Sequence, residues 1–411
     1  MQLSGVRLLI FIGVIISFLG LQWSLYSRTQ KFIKEFGGDP SDEKRLILLV
    51  RIFFIYLISS ALFSYLFGFD SNGFTIIKYF VYYPLIIWII SSFIIFLFLV
   101  TRDLLHLILI FGKRLLNYLQ NSENKPELIS SERRKFLQAG SLVSIALVTA
   151  PITTFGYAAF VAKSKPVLNK VSLKMPGLPP GLRGLKIAQV SDFHVNQFIG
   201  QSEIERLTED ISKEKPDIIV ITGDFVSNSV KYIPECSSGL KQMTAPYGVY
   251  GCLGNHDYYT GAKEVRIQME SIGINMLVNS SEELEIRGEK LSIAGLDDLW
   301  VGKPDFEAAL INTENSDFRI LLSHNPDTFP AAANHNVNLT LSGHTHGGQV
   351  GLKLLGNHYS FVNLVTPYVM GEFNIGSSKL YVNRGIGTVG PPIRLNSRPE
   401  ITIFTLEHRI I

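Results

Sequence analysis

Three segments in the first hundred residues are almost entirely apolar, and each is at least 19 residues long. They are residues 8–26, 46–68 and 79–100. About 20 apolar residues in a helix cross the ~30 Å hydrocarbon layer of a bilayer. These segments therefore predict an N-terminal helical transmembrane region over residues 1–162, with a helix buried in a soluble core as the alternative. Residues 136–162 are a weaker fourth candidate, since they contain Gln138, Pro151 and many small residues.

The basic residues between these apolar segments are distributed unevenly. Residues 27–45 and 101–135 carry most of them, whereas the only basic residue of 69–78 is Lys78. Lys and Arg are concentrated in the cytoplasmic connections of membrane proteins. If four segments span the bilayer, both basic connections are cytoplasmic. The N-terminus and everything after Ala162 then lie on the outer side.

One basic segment carries a further signal. Ser131–Gly140 reads SERRKFLQAG and is followed by a mildly apolar stretch of small residues. This pattern resembles a twin-arginine export signal, although it lies inside the chain rather than at its start. The basic flank of a membrane helix explains it equally well. Tyr157 and Phe160 occupy positions where a cleavage site needs small residues, so we expect an uncleaved anchor.

Composition narrows the function classes only slightly. The formal net charge of +3 gives no argument for nucleic-acid binding. Cys236 and Cys252 form no metal-binding spacing, so we expect buried free thiols. Cysteine usage therefore leaves the compartment open, and the membrane segments have to decide it.

Beyond residue 162 the chain reads as a soluble α/β domain. We predict a linker over 163–184 and a domain over 185–411. Short apolar strands alternate there with amphipathic helices, and each strand leads into a polar loop. The expected strands include 185–190, 217–221, 247–253, 318–322 and 337–341, and the expected helices include 203–212 and 262–271. Uninterrupted apolar strands are usually buried on both faces, so this pattern predicts sheets covered by helices.

Five of these strand ends carry side chains that bind metals. They are Asp192 with His194, Asp224, Asn255 with His256 and Asp257, His324, and His344 with His346. The two histidines of SGHTHGGQV share one side of an extended chain, and the flanking glycines leave room for a bound group. Taken singly, each group has an ordinary explanation as a turn, a cap or a core histidine. His335 and His358 lie outside the pattern, and we assign them structural roles.

The ordered set resembles the calcineurin-like metallophosphoesterase family over Leu185–Leu406. The blocks of that family stand here as DFH, GD, GNHD, SHNPD and GHTH. The longer forms GNHD, LLSHNPD, GHTHGGQ and RPEI look most like its bacterial membrane-anchored branch. The resemblance implies a four-layer α/β fold, in which a β-sandwich is flanked by helices and a two-metal site lies at the strand ends.

The resemblance also implies a role for each site residue. One divalent metal would be held by Asp192, His194, Asp224 and His346, and the second by Asp224, Asn255, His324 and His344. His256 would act on the leaving oxygen and Asp257 would orient it. A nitrogen and oxygen ligand set without thiolate suits Mn, Fe, Zn or Co. Many members have an aspartate three residues after the GD block, where this chain has Ser227. We therefore expect altered support of the site rather than lost activity.

The function expected from these features is a membrane-anchored, dinuclear-metal phosphoesterase. It would hydrolyse a phosphate ester or phosphoanhydride with metal-activated water, on a lipid-linked or envelope substrate outside the cytoplasm. Its expected partners are the lipid bilayer and the phosphoester substrate, and its expected location is the bacterial inner membrane as a multi-pass protein. Three arginines of the C-terminal tail are candidates for anion contacts, with surface charge as the alternative: Arg384, Arg394 and Arg398.

Two other functions stay open. One is a cytoplasm-facing lipid-precursor pyrophosphatase of the UDP-diacylglucosamine type, which conflicts with the orientation derived above. The other is a membrane sensor or scaffold whose phosphoesterase domain only binds a ligand. The complete set of ligand blocks argues against the second. A transporter is less compatible with the sequence, because the apolar segments carry few polar groups.

Overall fold

The computed structural model describes residues 5–36, 39–67, 78–119, 149–159, 165–311 and 313–408. The chain divides into two compact units, Met1–Tyr157 and Ala158–Ile411.

The first unit is helical. Its helices are Gly5–Phe36, Pro40–Phe67 and Tyr83–Leu119, and a π-helical turn covers Lys78–Tyr82. Residues 149–159, the last two of which belong to the second unit, are also helical. Leu25, Phe54 and Ile95 form a small core between the three long helices. Polar groups inside the unit bond to one another, since Trp88 donates to Gln22 at 2.7 Å and Gln22 donates to Ser92 at 3.2 Å. This pairing is what apolar helices need where no water reaches their polar side chains.

Two of the described helical segments are long and apolar enough to cross a membrane. They are Pro40–Phe63 and Phe80–Gly112, and they overlap the predicted segments 46–68 and 79–100. Only 17% and 22% of their most apolar stretches are buried, which disfavours the alternative of core helices. The predicted segment 8–26 lies within the helix Gly5–Phe36. Of the predicted fourth segment, 149–159 is helical and the rest lies outside the described residues, as does Ser131–Gly140.

The second unit contains two six-stranded sheets. The first has the strand order β1-β14-β2-β3-β4-β5. Its strands are β1 (Val167–Met175), β2 (Lys186–Val190), β3 (Ile218–Thr222), β4 (Val249–Cys252), β5 (Asn275–Met276) and β14 (Glu400–His408). The strands from β2 to β5 are parallel, and β14 runs antiparallel to β2.

The second sheet has the order β12-β13-β9-β8-β7-β6, with parallel pairing from β7 to β13. Its strands are β6 (Ser280–Ile286), β7 (Glu289–Gly295), β8 (Phe318–Leu322), β9 (Leu339–Ser342), β12 (Gly371–Ile375) and β13 (Ser378–Val382). A separate two-stranded hairpin is formed by β10 (Gly351–Leu354) and β11 (Asn357–Ser360).

Alternating side chains of the central strands enter two different cores. Ile218 and Val220 of β3 point into the core between the sheets, whereas Ile219 and Ile221 point to the helical side. The first sheet is covered by the helices Gln201–Lys213, Ile233–Leu240 and Ala262–Glu270, and the second by Phe306–Leu310 and Phe329–Asn334. The layers therefore run helix, sheet, sheet, helix, which confirms the predicted four-layer α/β sandwich.

Residues 163–184 were predicted to be a linker, but Val167–Met175 forms β1, which pairs with β14 along its whole length. Its register places Leu173 and Met175 in the core between the sheets, although four of its nine residues are polar and every second side chain is exposed. Cys236 and Cys252 are buried free thiols as predicted, and burial raises the pKa of both well above the usual value.

Glu400 connects β14 to its neighbours and gives a stability prediction. Its carboxylate accepts hydrogen bonds from Tyr381 and Asn169 and pairs with Arg384, all at 2.6 Å. Burial opposes its ionisation, but Arg384 and Tyr381 hold its pKa below the usual value. Breaking such a buried pair costs about 3 kcal/mol, so we expect Glu400→Gln to lower the free energy of unfolding by roughly that amount at pH 7.

The pH dependence of the Glu400 effect provides its check. A carboxyl whose pKa is lowered by folding adds stability above its unfolded-state pKa of about 4.3. That contribution is lost as the pH falls through the lowered value. The difference between wild type and Glu400→Gln in guanidinium unfolding should therefore shrink below about pH 4. A difference that stays constant down to pH 3 would contradict this account.

Candidate metal centre

The loops after five parallel strands bring the predicted site residues to one edge of the sandwich. Parallel strands present their carboxyl ends on the same side, so the loops after β2, β3, β4, β8 and β9 meet there. The structure forms three groups whose ligating atoms all lie within 4.8 Å of one another. These groups are Asp192, His194 and His346; Asp192, Asp224 and His324; and His194, Asp224 and His256.

Asp224 lies at the centre of these groups. Its Oδ2 atom is 3.3 Å from Nε2 of His194 and 3.2 Å from Nε2 of His324. Its Oδ1 atom accepts a hydrogen bond from the backbone N–H of His256 at 2.8 Å. One carboxylate therefore faces histidines that arrive from two different sheets.

Asp192 and His346 complete one side of the cluster. Nε2 of His346 is 3.4 Å from Oδ1 of Asp192 and 3.0 Å from Nε2 of His194. The backbone N–H of His344 donates to both carboxylate oxygens of Asp192, each at 3.1 Å. These contacts fix the carboxylate against the loop that carries the two predicted histidines.

His324, His344 and Asn255 form the other side. Nδ1 of His344 is 3.2 Å from Nε2 of His324. His324 contacts the carbonyl oxygen of Thr222 through Nδ1 at 2.7 Å, so the proton belongs on Nδ1 and the Nε2 lone pair is directed into the cluster. The Oδ1 atom of Asn255 is buried, and no described residue bonds to it. A buried acceptor left without a donor is suited to a cation.

The backbone of the site is unusual. Twelve described residues other than glycine have a positive φ, and five of them are site residues: Asp192, His194, Asp224, His344 and His346. Left-handed backbone is unfavourable for such residues and persists where the surrounding structure imposes it. The strand ends are therefore held in conformations that direct these side chains into one place.

The charges of the cluster call for a cation. Burial opposes ionisation of Asp224, but His324 and His194 hold the pKa of its carboxyl well below the usual value. Burial lowers the pKa of His324, yet Asp224 raises it to about 10. Burial and the charge of His324 lower the pKa of His344 to about 3. The buried carboxylates therefore need a positive charge beside them, which either a second proton on Nε2 of His324 or a divalent metal bound to that nitrogen can supply.

The donor set, the orphaned amide oxygen of Asn255 and the shared carboxylate of Asp224 all fit a pair of divalent metals. The calcineurin-like phosphoesterase family model matches residues 185–348. The metallophosphoesterase YkuE of Bacillus subtilis (strain 168) is 35% identical over 290 residues, which cover 67% of this chain and 97% of YkuE.

The chain belongs to the calcineurin-like phosphoesterase family.

Two further relatives are similar to this phosphoesterase. The transmembrane protein with metallophosphoesterase domain of Danio rerio is 31% identical over 321 residues, which cover 74% of this chain and 70% of that protein. The UDP-2,3-diacylglucosamine pyrophosphatase LpxG of Chlamydia muridarum (strain MoPn / Nigg) is 28% identical over 327 residues, which cover 66% of this chain and 98% of LpxG. The predicted family and hydrolase class are confirmed.

The structure brings His256 and Asp257 to the site in different ways. His256 lines the cavity, and its Nδ1 contacts the carbonyl oxygen of Ser227 at 2.7 Å. Asp257 is buried and accepts hydrogen bonds from the backbone N–H groups of Asp224 and Phe225, each at 2.9 Å, and of Gly254 at 3.0 Å. The contact that orients His256 therefore comes from the Ser227 carbonyl, and Asp257 fixes the loop that carries Asp224.

Ser227 stands where many family members have an aspartate, and its side chain supports His194. Its hydroxyl lies 3.4 Å from Nδ1 of His194 and also contacts the carbonyl oxygen of His194 at 3.3 Å. The hydroxyl thus lies beside the ring edge that faces away from Asp224. The sequence departure replaces a carboxylate at this position with a neutral hydrogen-bonding group.

The three arginines proposed for anion contacts have other partners. Arg394 is fully buried, and it donates to the carbonyl oxygens of Gly385 and Ser397 at 3.2 and 3.0 Å and lies 3.1 Å from Nδ1 of His346. Arg384 pairs with Glu400, and Arg398 donates to the carbonyl oxygen of Lys165. None of the three is among the described residues that line the cavity. Arg394 supports a site histidine instead of binding substrate.

A cavity of about 400 Å³ opens above the cluster. Asp224, Asn255, His256, His344 and His346 line its floor. Its walls include residues that the sequence analysis did not select: Trp300, Asp327, Gln349, Val362, Val365, Thr366 and Val389. Asp327 and Gln349 were within reach of sequence reasoning because they end the quoted SHNPD and GHTHGGQ blocks. The others lie outside the quoted blocks, and only the fold places them here.

Gly343 gives a prediction about the packing of the site. A Cβ atom at this position would overlap the Ser191 hydroxyl and the carboxylate of Asp192. We expect Gly343→Ala to displace Asp192 and to weaken metal binding by about 10- to 100-fold, the range seen when support of a metal ligand is lost. Titration with Mn²⁺, followed by bound metal per chain, measures this.

A matched glycine controls for a general effect of the added methyl group. At Gly200 the nearest atom to an added Cβ is the flexible end of Glu235 at 3.3 Å. Gly200→Ala should therefore bind Mn²⁺ like the wild type. Wild-type Mn²⁺ affinity in Gly343→Ala would disprove the proposed packing role.

Proposed function

We propose that this phosphoesterase is a membrane-anchored, dinuclear-metal enzyme that hydrolyses a phosphate ester or phosphoanhydride with metal-activated water. The observation that carries the proposal is the position of one oxygen atom. Oδ2 of Asp224 lies 3.3 Å from His194, a ligand of the first proposed metal, and 3.2 Å from His324, a ligand of the second. A carboxylate in that position can bridge two cations.

The proposed ligands follow from the two sides of the cluster. The first metal takes Asp192, His194, Asp224 and His346, and the second takes Asp224, Asn255, His324 and His344. Two such cations polarise the phosphoryl oxygens and lower the pKa of water toward ~7. Mn, Fe, Zn and Co all suit this nitrogen and oxygen donor set.

His256 is the proposed general acid or charge stabiliser at the leaving oxygen. Its Nδ1 donates to the Ser227 carbonyl, which leaves Nε2 as the nitrogen for the leaving oxygen, and Nε2 donates a proton there when the ring is an imidazolium. Its ring packs edge-on against Tyr259, with ring centroids 5.3 Å apart. Both contacts limit rotation of the imidazole, so Nε2 is held in one direction. Asp257 acts indirectly, by holding the backbone on both sides of Asp224.

The proposed substrate is lipid-linked or an envelope component outside the cytoplasm, and the proposed location is the bacterial inner membrane as a multi-pass protein. Two helical segments long and apolar enough to cross a bilayer support membrane attachment. The basic connections 27–45 and 101–135 support an outward-facing domain. Attachment raises the concentration of lipid-borne phosphoesters near the cavity.

A second candidate is a cytoplasm-facing pyrophosphatase acting on a UDP-diacylglucosamine-type lipid precursor. The similarity to LpxG, whose name states that activity, favours it. A reporter fused after Ile411 separates the two. Activity of a periplasm-dependent alkaline phosphatase reporter is expected for the first proposal. The second proposal would be favoured if the phosphatase fusion were inactive and a fusion to a reporter that fluoresces only in the cytoplasm were fluorescent.

The enzymatic proposal is tested with the full-length chain in detergent. We expect about two Mn²⁺ ions per chain, and metal-dependent hydrolysis within a panel of aryl phosphomonoesters, phosphodiesters and pyrophosphates. Two bound metals without turnover across the panel would favour a ligand-binding sensor or scaffold. Absence of metal after reconstitution would contradict both.

A further inference from the structure

The hairpin formed by β10 and β11, together with the turn after it, exposes a group of large apolar side chains. Leu355 at the tip is 94% exposed, and Phe361 and Leu364 in the following turn are 86% and 83% exposed. We call this surface the hairpin patch. It consists of Leu352, Leu354, Leu355, Tyr359, Phe361 and Leu364. Exposed apolar side chains gathered in one contiguous segment indicate a contact surface, whereas singly scattered ones do not.

The hairpin has two different faces. In its register Leu352 pairs with Tyr359, and Leu354 lies two residues along the same face. Lys353 pairs with His358 on the opposite face, where the His358 ring lies against Gly351 and Gly348. The apolar side chains therefore point away from the body of the domain.

The charge of this segment is also distinctive. Residues 348–371 contain no Asp or Glu, and Lys353 is their only Lys or Arg. An apolar surface with a basic residue and no acidic one complements a bilayer of anionic lipids, because the apolar groups enter the acyl region and the cation stays at the headgroups. The same chain carries two helical segments long and apolar enough to cross a membrane, and this favours a bilayer as the partner of the patch.

The hairpin patch is continuous with the cavity above the metal centre. Val362 lies in the same turn as Phe361 and Leu364, and Val365 and Thr366 follow directly. These three residues line the cavity together with Asp224 and His344. Trp300, which is 56% exposed, lines the same cavity and packs edge-on against His344. An apolar path thus leads from the hairpin to the metal ligands.

We infer that the hairpin patch inserts into the bilayer surface and guides the hydrophobic chain of an amphiphilic phosphoester to the cavity. The membrane contact rests on the patch, its charge and the two apolar helical segments, and the substrate class rests on the proposed function. No Lys or Arg side chain is among the described residues that line the cavity, so the phosphate group is left to the metal centre. The valines and Trp300 accept the apolar part of the substrate.

A depth measurement on the full-length chain tests the membrane contact. Cys236 and Cys252 are buried, so a new surface cysteine can be labelled selectively. Leu355→Cys is labelled with an environment-sensitive fluorophore and reconstituted in vesicles of phosphatidylcholine and phosphatidylglycerol. Ile267→Cys is the control, because Ile267 is also an exposed apolar residue, at 55%, but lies on the helix Ala262–Glu270.

We expect lipid-borne nitroxide quenchers to quench the label at position 355 at least threefold more than the label at position 267. Aqueous iodide should show the opposite order. Equal quenching at the two positions would overturn the inference. Protection at position 355 that appears only at high protein-to-lipid ratio would overturn it too, since a second copy of the chain would then cover the patch.

A pair of substrates with the same reacting group tests the substrate class. p-Nitrophenyl dodecyl phosphate and p-nitrophenyl methyl phosphate differ only in the tail. We expect the dodecyl diester to have at least a tenfold lower KM, and the double variant Leu354→Ser, Leu355→Ser to lose most of that advantage while hydrolysing the methyl diester normally. An unchanged ratio in the double variant would overturn the guiding role. If the wild type hydrolyses neither diester and no other phosphoester, the proposed function fails, and the quenching result still decides the membrane contact.

Discussion

Asp224→Ala is expected to reduce phosphoesterase turnover by more than about 10³-fold and to reduce bound metal to at most one ion per chain. The physical reason is that Oδ2 of Asp224 lies between His194 and His324. Removal of this carboxylate takes a ligand from both proposed metals and leaves two buried histidines without their negative partner. Metal analysis of the full-length chain after Mn²⁺ reconstitution, together with aryl phosphoester hydrolysis, measures both effects.

Two variants separate this effect from misfolding. Asp224→Asn keeps the shape of the side chain, and its Oδ1 can still accept the hydrogen bond from His256. It should fold and still lose most metal and activity, because the amide lacks the negative charge. Asp210→Ala removes an exposed carboxylate paired with Lys213 and should behave like the wild type. Full turnover in Asp224→Asn would exclude Asp224 as the bridging ligand.

His256→Ala is expected to slow turnover by about 10²- to 10⁴-fold, the usual contribution of a general acid. Bound metal should stay at the wild-type level. The backbone N–H of residue 256 still donates to Asp224 in the variant, so the metal side of the cluster is preserved. The loss should be largest for substrates with alkyl leaving groups. It should be much smaller for p-nitrophenyl esters, whose leaving oxygen departs without a proton.

The leaving-group comparison distinguishes proton donation from simple packing. A merely structural role of His256 would slow both kinds of substrate equally, and that result would contradict the proposed general acid. His335→Ala is a matched control, because His335 stacks on Phe306 with ring centroids 4.9 Å apart and lies outside the metal centre. It should leave both reactions unchanged.

The strands that carry the site could be predicted closely. β8 was expected at 318–322 and is found there, and β2 and β3 differ from their expected bounds by a single residue. Their runs of apolar residues are buried on both faces, so their hydrophobicity alone identifies them. β1 was missed because asparagine, serine and two lysines interrupt its apolar residues, and because its pairing partner, β14, lies more than two hundred residues away.

The site residues also divide into those that the sequence could identify and those that only the fold could assign. Asp192, His194, Asp224, His324 and His346 could be selected from the sequence because each follows an apolar strand within a short block. Arg394 could not be assigned correctly, because its charge suggested an anion site and only the fold shows that backbone carbonyl oxygens surround it. The hairpin patch was missed because apolar residues in a short segment look the same whether they enter a core or face outward.

The sequence by itself determined the family of this phosphoesterase, the positions of the strands that carry the site and the residues at their ends, since these depend on local composition and spacing. Only the tertiary structure decided which side chains share an oxygen of Asp224, what orients His256, and where the apolar surface beside the cavity lies. Those features depend on distances between residues that are far apart along the chain. Such distances are set by how the two sheets pack, which local patterns of residues do not encode.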